Sequence, residues 1–308
     1  MARDDAALLR LMPWVFVLIW STGFVVARFG MPHAPPFGFL CVRYALSVAC
    51  FAVWIALARA TWPKGAAQWW HLCVTGTLMH AGYLGGVWAA IKQGIGAGTV
   101  ALLVGLQPLL TAIWLGLADR GAKSAPALHW RHWMGLLLGL VGLAMVVWPK
   151  VGVGEVTASN LALGIVALLS ITTGTLYQKR FIVPTDVRSA NAIQLFAALL
   201  VSLPLAWLET ETMRVNAQLI GAMAWSVLVL TLGGSSLLYL LIQRGAATRV
   251  TSLLYLVPPC TACLAWLLFG EAITPAMLGG MALTVAGVGL VMRSAGPAQS
   301  IQSPRSAT

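Results

Sequence analysis

The sequence predicts an all-α membrane protein whose ten transmembrane helices form two inverted five-helix repeats. Three observations predict it: too little polar surface for water, ten apolar runs of spanning length, and an internal repeat built from an odd number of them. Of 308 residues, 59% are hydrophobic and 9% charged, against about 25% charged in a typical soluble domain. Apolar runs of about 20 residues cross a hydrocarbon layer about 30 Å thick as helices. The run Leu11–Val26 is apolar on every face, which excludes the one-sided helix of a soluble core.

Glycines, prolines and charge clusters divide the chain into spans at 11–29, 37–59, 68–91, 95–118, 131–149, 159–178, 190–208, 217–242, 246–269 and 275–293. With the N-terminus in the cytoplasm, the inside segments carry Arg3, Arg10, Arg59, Lys64, Arg120, Lys123, Arg131, Lys179, Arg180, Arg188, Arg244, Arg249, Arg293 and Arg305. That is 14 of the 19 lysines and arginines, and losing one span would scramble the bias. Both termini are therefore expected in the cytoplasm of a multi-pass inner-membrane protein. The polar tail 294–308 is expected to be disordered. Met1–Arg10 carries two aspartates and is followed by no small-residue cleavage pattern, so no signal peptide is expected. Trp62, Trp69, Trp70, Trp130, Trp133 and Trp148 fall near span ends, as headgroup anchors do. Trp20, Trp88, Trp114 and Trp266 lie deeper and are expected to pack or to wall a cavity.

A net charge of +11 raises the question of nucleic acid, but the charges lie in short loops, where membrane orientation needs them. The cysteines Cys41, Cys50, Cys73, Cys260 and Cys263 all sit in apolar spans and read as small buried hydrophobes. No metal site and no cofactor is expected. The expected partners are a small-molecule substrate and the lipid bilayer, with the chain a monomer.

The repeat appears when IGAGTVALLVGLQPLLTAIW (95–114) is written above GAATRVTSLLYLVPPCTACL (245–264). Ala97/Ala247, Val100/Val250, Pro108/Pro258, Thr111/Thr261 and Ala112/Ala262 coincide. At a slightly different offset Gly135/Gly280, Leu138/Leu283, Gly142/Gly287 and Val146/Val291 align. Five spans per repeat make the second copy enter from the opposite side, so residues 11–149 and 159–293 form an inverted pair, a common transporter plan.

These residues resemble the drug/metabolite transporter superfamily, in particular its ten-span EamA-type members and among them the YddG-like amino-acid exporters. The likeness covers residues 11–293 and rests on IWSTGFVVAR (19–28), VRYALS (42–47), the paired proline segments, LLFGE (267–271) and GLLLGLVGLAMVV (135–147) with its partner. It implies two five-helix repeats around a central cavity and the export or exchange of small metabolites. The acid that usually closes span nine is present as Glu271, whereas Asp119-Arg120 in the first half stands out of register.

Polar groups inside spans are the candidate site, because a charge at the bilayer centre costs about 2.5–3.5 kcal/mol on insertion scales. No acid lies near the middle of a span, which argues against a carboxylate proton relay. His80 is the one mid-span histidine; it either binds substrate or titrates during transport, or it bonds a neighbouring helix, and Tyr83 lies beside it. Arg43, about two turns into span two, either attracts an anionic group such as a carboxylate, or snorkels to the outer interface or pairs structurally with a neighbouring group. Trp20, Ser21 and Thr22 lie mid-span in the first helix, where hydroxyls commonly bond back to the preceding turn. Gln107, Tyr177, Gln194, Tyr239 and Tyr255 complete the candidate cavity lining. Pro108, Pro258 and Pro259 are expected to kink their helices, freeing the carbonyls of Val104 and Leu254. Glutamine precedes the first proline and valine the second pair, so Gln107 is expected to serve one side only.

A secondary transporter working by alternating access, with amino acids the best-guess class, is the function this pattern favours. The alternative, a membrane-embedded enzyme acting on lipid or isoprenoid, would need clustered acids, metal ligands or a nucleophile–base pair. The spans show no such cluster, and the histidines are scattered at 33, 71, 80, 129 and 132.

Overall fold

The computed structural model describes residues 2–118, 130–234, 236–237 and 256–294, and it holds no strand among them. Its helices are α1 (Ala2–Gly30), α2 (Pro36–Ala58), α3 (Ala66–Gly76), α4 (Tyr83–Lys92), α5 (Ala97–Val104), α6 (Gln107–Ala118) and α7 (Trp130–Gly152). They continue as α8 (Ala158–Phe181), α9 (Val187–Trp207), α10 (Ala217–Ala224), α11 (Val257–Phe269) and α12 (Pro275–Ser294). Two π-helical turns interrupt this series, π1 (Thr77–Gly82) between α3 and α4, and π2 (Trp225–Gly233) after α10. Helix thus occupies most of the described part of every expected apolar run. Among the described residues, five helical segments are long and apolar enough to cross a bilayer by themselves: Pro36–Ala58, Ala97–Trp114 (α5 with most of α6), Trp130–Gly152, Ala158–Phe181 and Val187–Trp207. Tyr239, Tyr255, Asp119, Arg120 and most of the tail lie outside the described residues.

Local chemistry sets the ends. Thr157 and Asn160 form a reciprocal capping box on α8 (3.2 and 2.9 Å). Asn216 caps α10 through the Leu219 N–H (2.8 Å), and Gly270 closes α11 with φ +67°. α2 opens on Pro35-Pro36, which offers no capping side chain. Its free N–H groups at Phe37 and Gly38 donate to Glu209, from the segment after α9 (2.9 and 2.8 Å). The same device recurs at α5, where Gly96 N–H donates to Glu155 and Ala97 N–H to Glu271 (both 3.1 Å). Lys92 pairs with Glu211 (2.6 Å) and Lys150 with Glu155 (2.7 Å). The bonds of Glu209 to α2, of Glu155 and Glu271 to the start of α5, and of Lys92 to Glu211 tie together segments far apart in sequence.

α2 runs along α9, α7 along α12, α4 on α8, α3 on α9, and α11 against both α1 and α5. Glycines make the closest of these approaches possible. A methyl group at Gly142 would overlap the Gly280 carbonyl, and one at Gly135 would sit 2.6 Å from the Gly287 carbonyl oxygen. Between α3 and α9, a Cβ on Gly76 would overlap the backbone of Gln194.

The outward faces correct two sequence expectations. Trp114 (59% exposed) and Trp266 (55%) point away from the bundle rather than packing within it. An all-round apolar helix carries no mark of which side faces its neighbours. Cys263 is likewise exposed, so it is not the buried hydrophobe expected, and the five cysteines are free.

Candidate functional site

Arg43 is the most conspicuous polar residue of the bundle. It is 7% exposed, so it does not snorkel to the interface. Its Nη2 and Nε lie 3.2 and 3.4 Å from Thr231 Oγ1 in π2. Its guanidinium carbon stands 6.0 Å from the ring centre of Trp88, within the range of cation–π attraction. Trp88 is 1% exposed and stacks on Phe39 with ring centres 4.5 Å apart. The adjacent Tyr44 donates its hydroxyl to the His80 carbonyl in π1 (2.9 Å). The Tyr44 and His80 rings meet edge-on at 6.2 Å, Gln194 of α9 stands against His80, and Tyr83 neighbours Arg43.

Neighbouring residues of α2 therefore grip both π turns, Arg43 reaching π2 and Tyr44 reaching π1. π turns misalign the backbone ladder by one residue and recur at functional sites. The cluster brings together four sequence candidates, Arg43, His80, Tyr83 and Gln194, and adds Tyr44, Trp88 and Thr231. Thr231 also donates to the Ser226 carbonyl (2.8 Å), the five-residue reach of a π turn. A lone threonine in WSVLVLTLG carries no sequence signal beyond its hydroxyl in an apolar run.

The other candidates occupy separate places. Ser21 bonds back to the Val17 carbonyl (2.7 Å) and Thr22 to the Ile19 carbonyl (2.6 Å), as helix hydroxyls commonly do. Both also bridge to the second half. Thr261 of α11 donates to the Ser21 carbonyl (3.2 Å), and Trp225 Nε1–H to the Thr22 hydroxyl (2.9 Å). Trp20 packs on the core beside Phe16. Tyr177 lies towards the other end of the bundle, its hydroxyl 2.8 Å from His71 Nδ1.

Gln107 donates to Thr175 Oγ1 of α8 (2.9 Å), which places it inside the bundle as the sequence suggests. The helix around it is broken, as Pro108 predicts, but the break falls at Gly105–Leu106, between α5 and α6. Pro108 supplies no N–H to Val104, and Leu106 N–H bonds three residues back to Leu103 instead (3.2 Å). Pro258 and Pro259 stand in the first turn of α11, where proline is tolerated because the N–H groups lack partners anyway. The Leu254 carbonyl lies outside the described residues.

The EamA-like transporter family matches residues 11–148 and 159–293. A "Probable amino-acid metabolite efflux pump" of Salmonella typhimurium is 23% identical over 94% of this chain and 94% of its own length. The Escherichia coli protein of the same name matches at 23% over the same shares. The "Uncharacterized transporter YvbV" of Bacillus subtilis is 23% identical over 89% of this chain and 88% of its own. One solved crystal structure superposes with a TM-score of 0.62 over 93% of this chain and 98% of its own, at 18% identity, which shows a shared fold.

Proposed function

Because the chain belongs to the EamA-like transporter family, we propose that it exports small metabolites, amino acids foremost, by alternating access between two inverted five-helix repeats. The observation that carries this reading is the buried polar cluster, to which residues 11–149 contribute Arg43, Tyr44 and His80, and residues 159–293 contribute Gln194 and Thr231. A site shared by two halves changes its exposure when one half rocks against the other. The names of the Salmonella and Escherichia relatives support the amino-acid class.

The ten-span inverted layout draws support from reciprocal packing. Gly135 faces Gly287 and Gly142 faces Gly280, which is one contact made twice if 135 and 142 correspond to 280 and 287. π1 packs on α8 and α9, while π2 packs on α1 and α2, and a twofold relation between the halves interchanges these pairs. The two π turns sit at matching places in spans three and eight. Both termini face the cytoplasm in this reading, and the chain works as a monomer in the inner membrane.

The test is counterflow in proteoliposomes of the purified full chain, loaded with one amino acid at a time and challenged with tracer. Uptake of tracer only into amino-acid-loaded vesicles is the expected result. No counterflow with any amino acid, alongside counterflow with another metabolite class, would overturn the substrate assignment and leave the transporter.

A further inference from the structure

We propose that the protein recognises a carboxylate on its substrate, held by the guanidinium of Arg43 with Thr231 and Trp88 fixing its approach. The proposal rests on the transporter reading and names the substrate class of that site. A guanidinium offers five N–H donors in a planar fork. Here a single hydroxyl, Thr231 Oγ1, accepts from Nε and Nη2, and the Trp88 face takes up charge without accepting an N–H. The ion pairs of the described residues are Lys92–Glu211, Lys150–Glu155 and Arg188–Asp186, so none of them engages Arg43. The neighbouring Tyr44, Tyr83 and His80 bring no negative charge at neutral pH.

A buried cation is stable only when paired and hydrogen-bonded. The sequence places all eight acids, at positions 4, 5, 119, 155, 186, 209, 211 and 271, in termini and linkers, which leaves the counter-ion to the ligand. A carboxylate matches the fork with two parallel hydrogen bonds. Since Arg43 and Tyr44 hold π2 and π1 together, a ligand on Arg43 bears on both halves at once.

The experiment compares thermal unfolding of the purified full chain in benzoate and in benzamide at equal ionic strength, for the wild type, Arg43→Gln and Arg43→Lys. Benzoate is expected to raise the wild-type midpoint and benzamide to leave it unchanged. Arg43→Gln should weaken benzoate about thirtyfold or more, the cost of removing one partner from a buried charge pair. Arg43→Lys, which keeps the charge, should keep the preference for benzoate over benzamide. Leucine and leucinamide counterflow in the same vesicles supplies the transport arm, in which only leucine should be carried and Arg43→Gln should lose it. Equal effects of benzoate and benzamide on the wild type overturn the proposal, and that comparison needs no variant to fold. So does leucine counterflow that survives Arg43→Gln unchanged. Benzoate stabilisation that depends on Arg43, with no counterflow of any amino acid, upholds the anion site and overturns the amino-acid reading.

Discussion

Glu209→Ala tests whether carboxylates from distant loops hold one end of the bundle together. The first turn of α2 has two prolines where a capping side chain would stand, so the N–H groups of Phe37 and Gly38 depend on Glu209 at 2.9 and 2.8 Å. A hydrogen bond to a charged group contributes about 1.5–3 kcal/mol net when buried. These two are partly buried, and water can replace some of that, while the charge at a helix N-terminus adds about 0.3–1 kcal/mol. Together they predict a loss of about 2 kcal/mol in the alanine variant, and a midpoint lower by about 4–6 °C in a chain of this size. Glu209→Gln keeps one carbonyl acceptor and should lose about half as much. Glu211→Ala removes a more exposed ion pair with Lys92, for which less than about 1 kcal/mol is expected. Tryptophan fluorescence of the purified protein during heating reads all three. A Glu209→Ala midpoint within about 1 °C of wild type, or no lower than that of Glu211→Ala, refutes the reasoning.

Three further predictions follow from packing and charge. Gly142→Ala drives a methyl group into the Gly280 carbonyl, so α7 and α12 must separate at a cost of about 1–3 kcal/mol, whereas Gly152→Ala meets open space and should leave the unfolding midpoint unlowered. Trp88→Ala empties a fully buried site and should cost about 3–5 kcal/mol, while Trp114→Ala, on an exposed face, should leave the midpoint nearly unchanged; equal losses in the two would contradict the assignment of faces. Arg188, hydrogen-bonded to Asp186 at the start of α9, holds that carboxyl below its ordinary range, with the Arg188 backbone N–H helping. Its stabilisation is therefore complete above the ordinary carboxylate pKa and disappears as pH falls through the lowered folded value. Asp186→Asn should flatten that acid limb of the stability profile, and an unchanged limb in the variant would assign it to other groups.

Much of the candidate site is legible in the sequence because a polar residue stands out wherever its neighbours are uniformly apolar. Arg43, His80, Tyr83 and Gln194 were each conspicuous in this way, and the structure gathers them. Tyr44 was not, since its reach to the His80 carbonyl depends on how α2 packs on π1, and Thr231 was not, since a threonine hydroxyl in a helix ordinarily bonds to its own preceding turn. Thr231 does so as well, and only the approach of α2 to π2 adds Arg43 to its partners. Gln107 and Pro108 illustrate the boundary within a single step. The missing N–H of proline is covalent chemistry and foretold a broken helix; where the chain gave way, at Gly105–Leu106, depended on the packing around it.

The sequence by itself determined the helices, since hydropathy and caps act within a few residues of one another. It also determined the charge bias and the paired proline and glycine motifs. Only the tertiary structure decided how each helix turns about its own axis. It sent Trp114 and Trp266 outward while Trp88 went inward, and it brought Glu209 to α2 and Arg43 to Thr231. In an apolar span every face looks alike along the chain, so rotation is settled by which neighbours can approach closely and which polar groups can find partners.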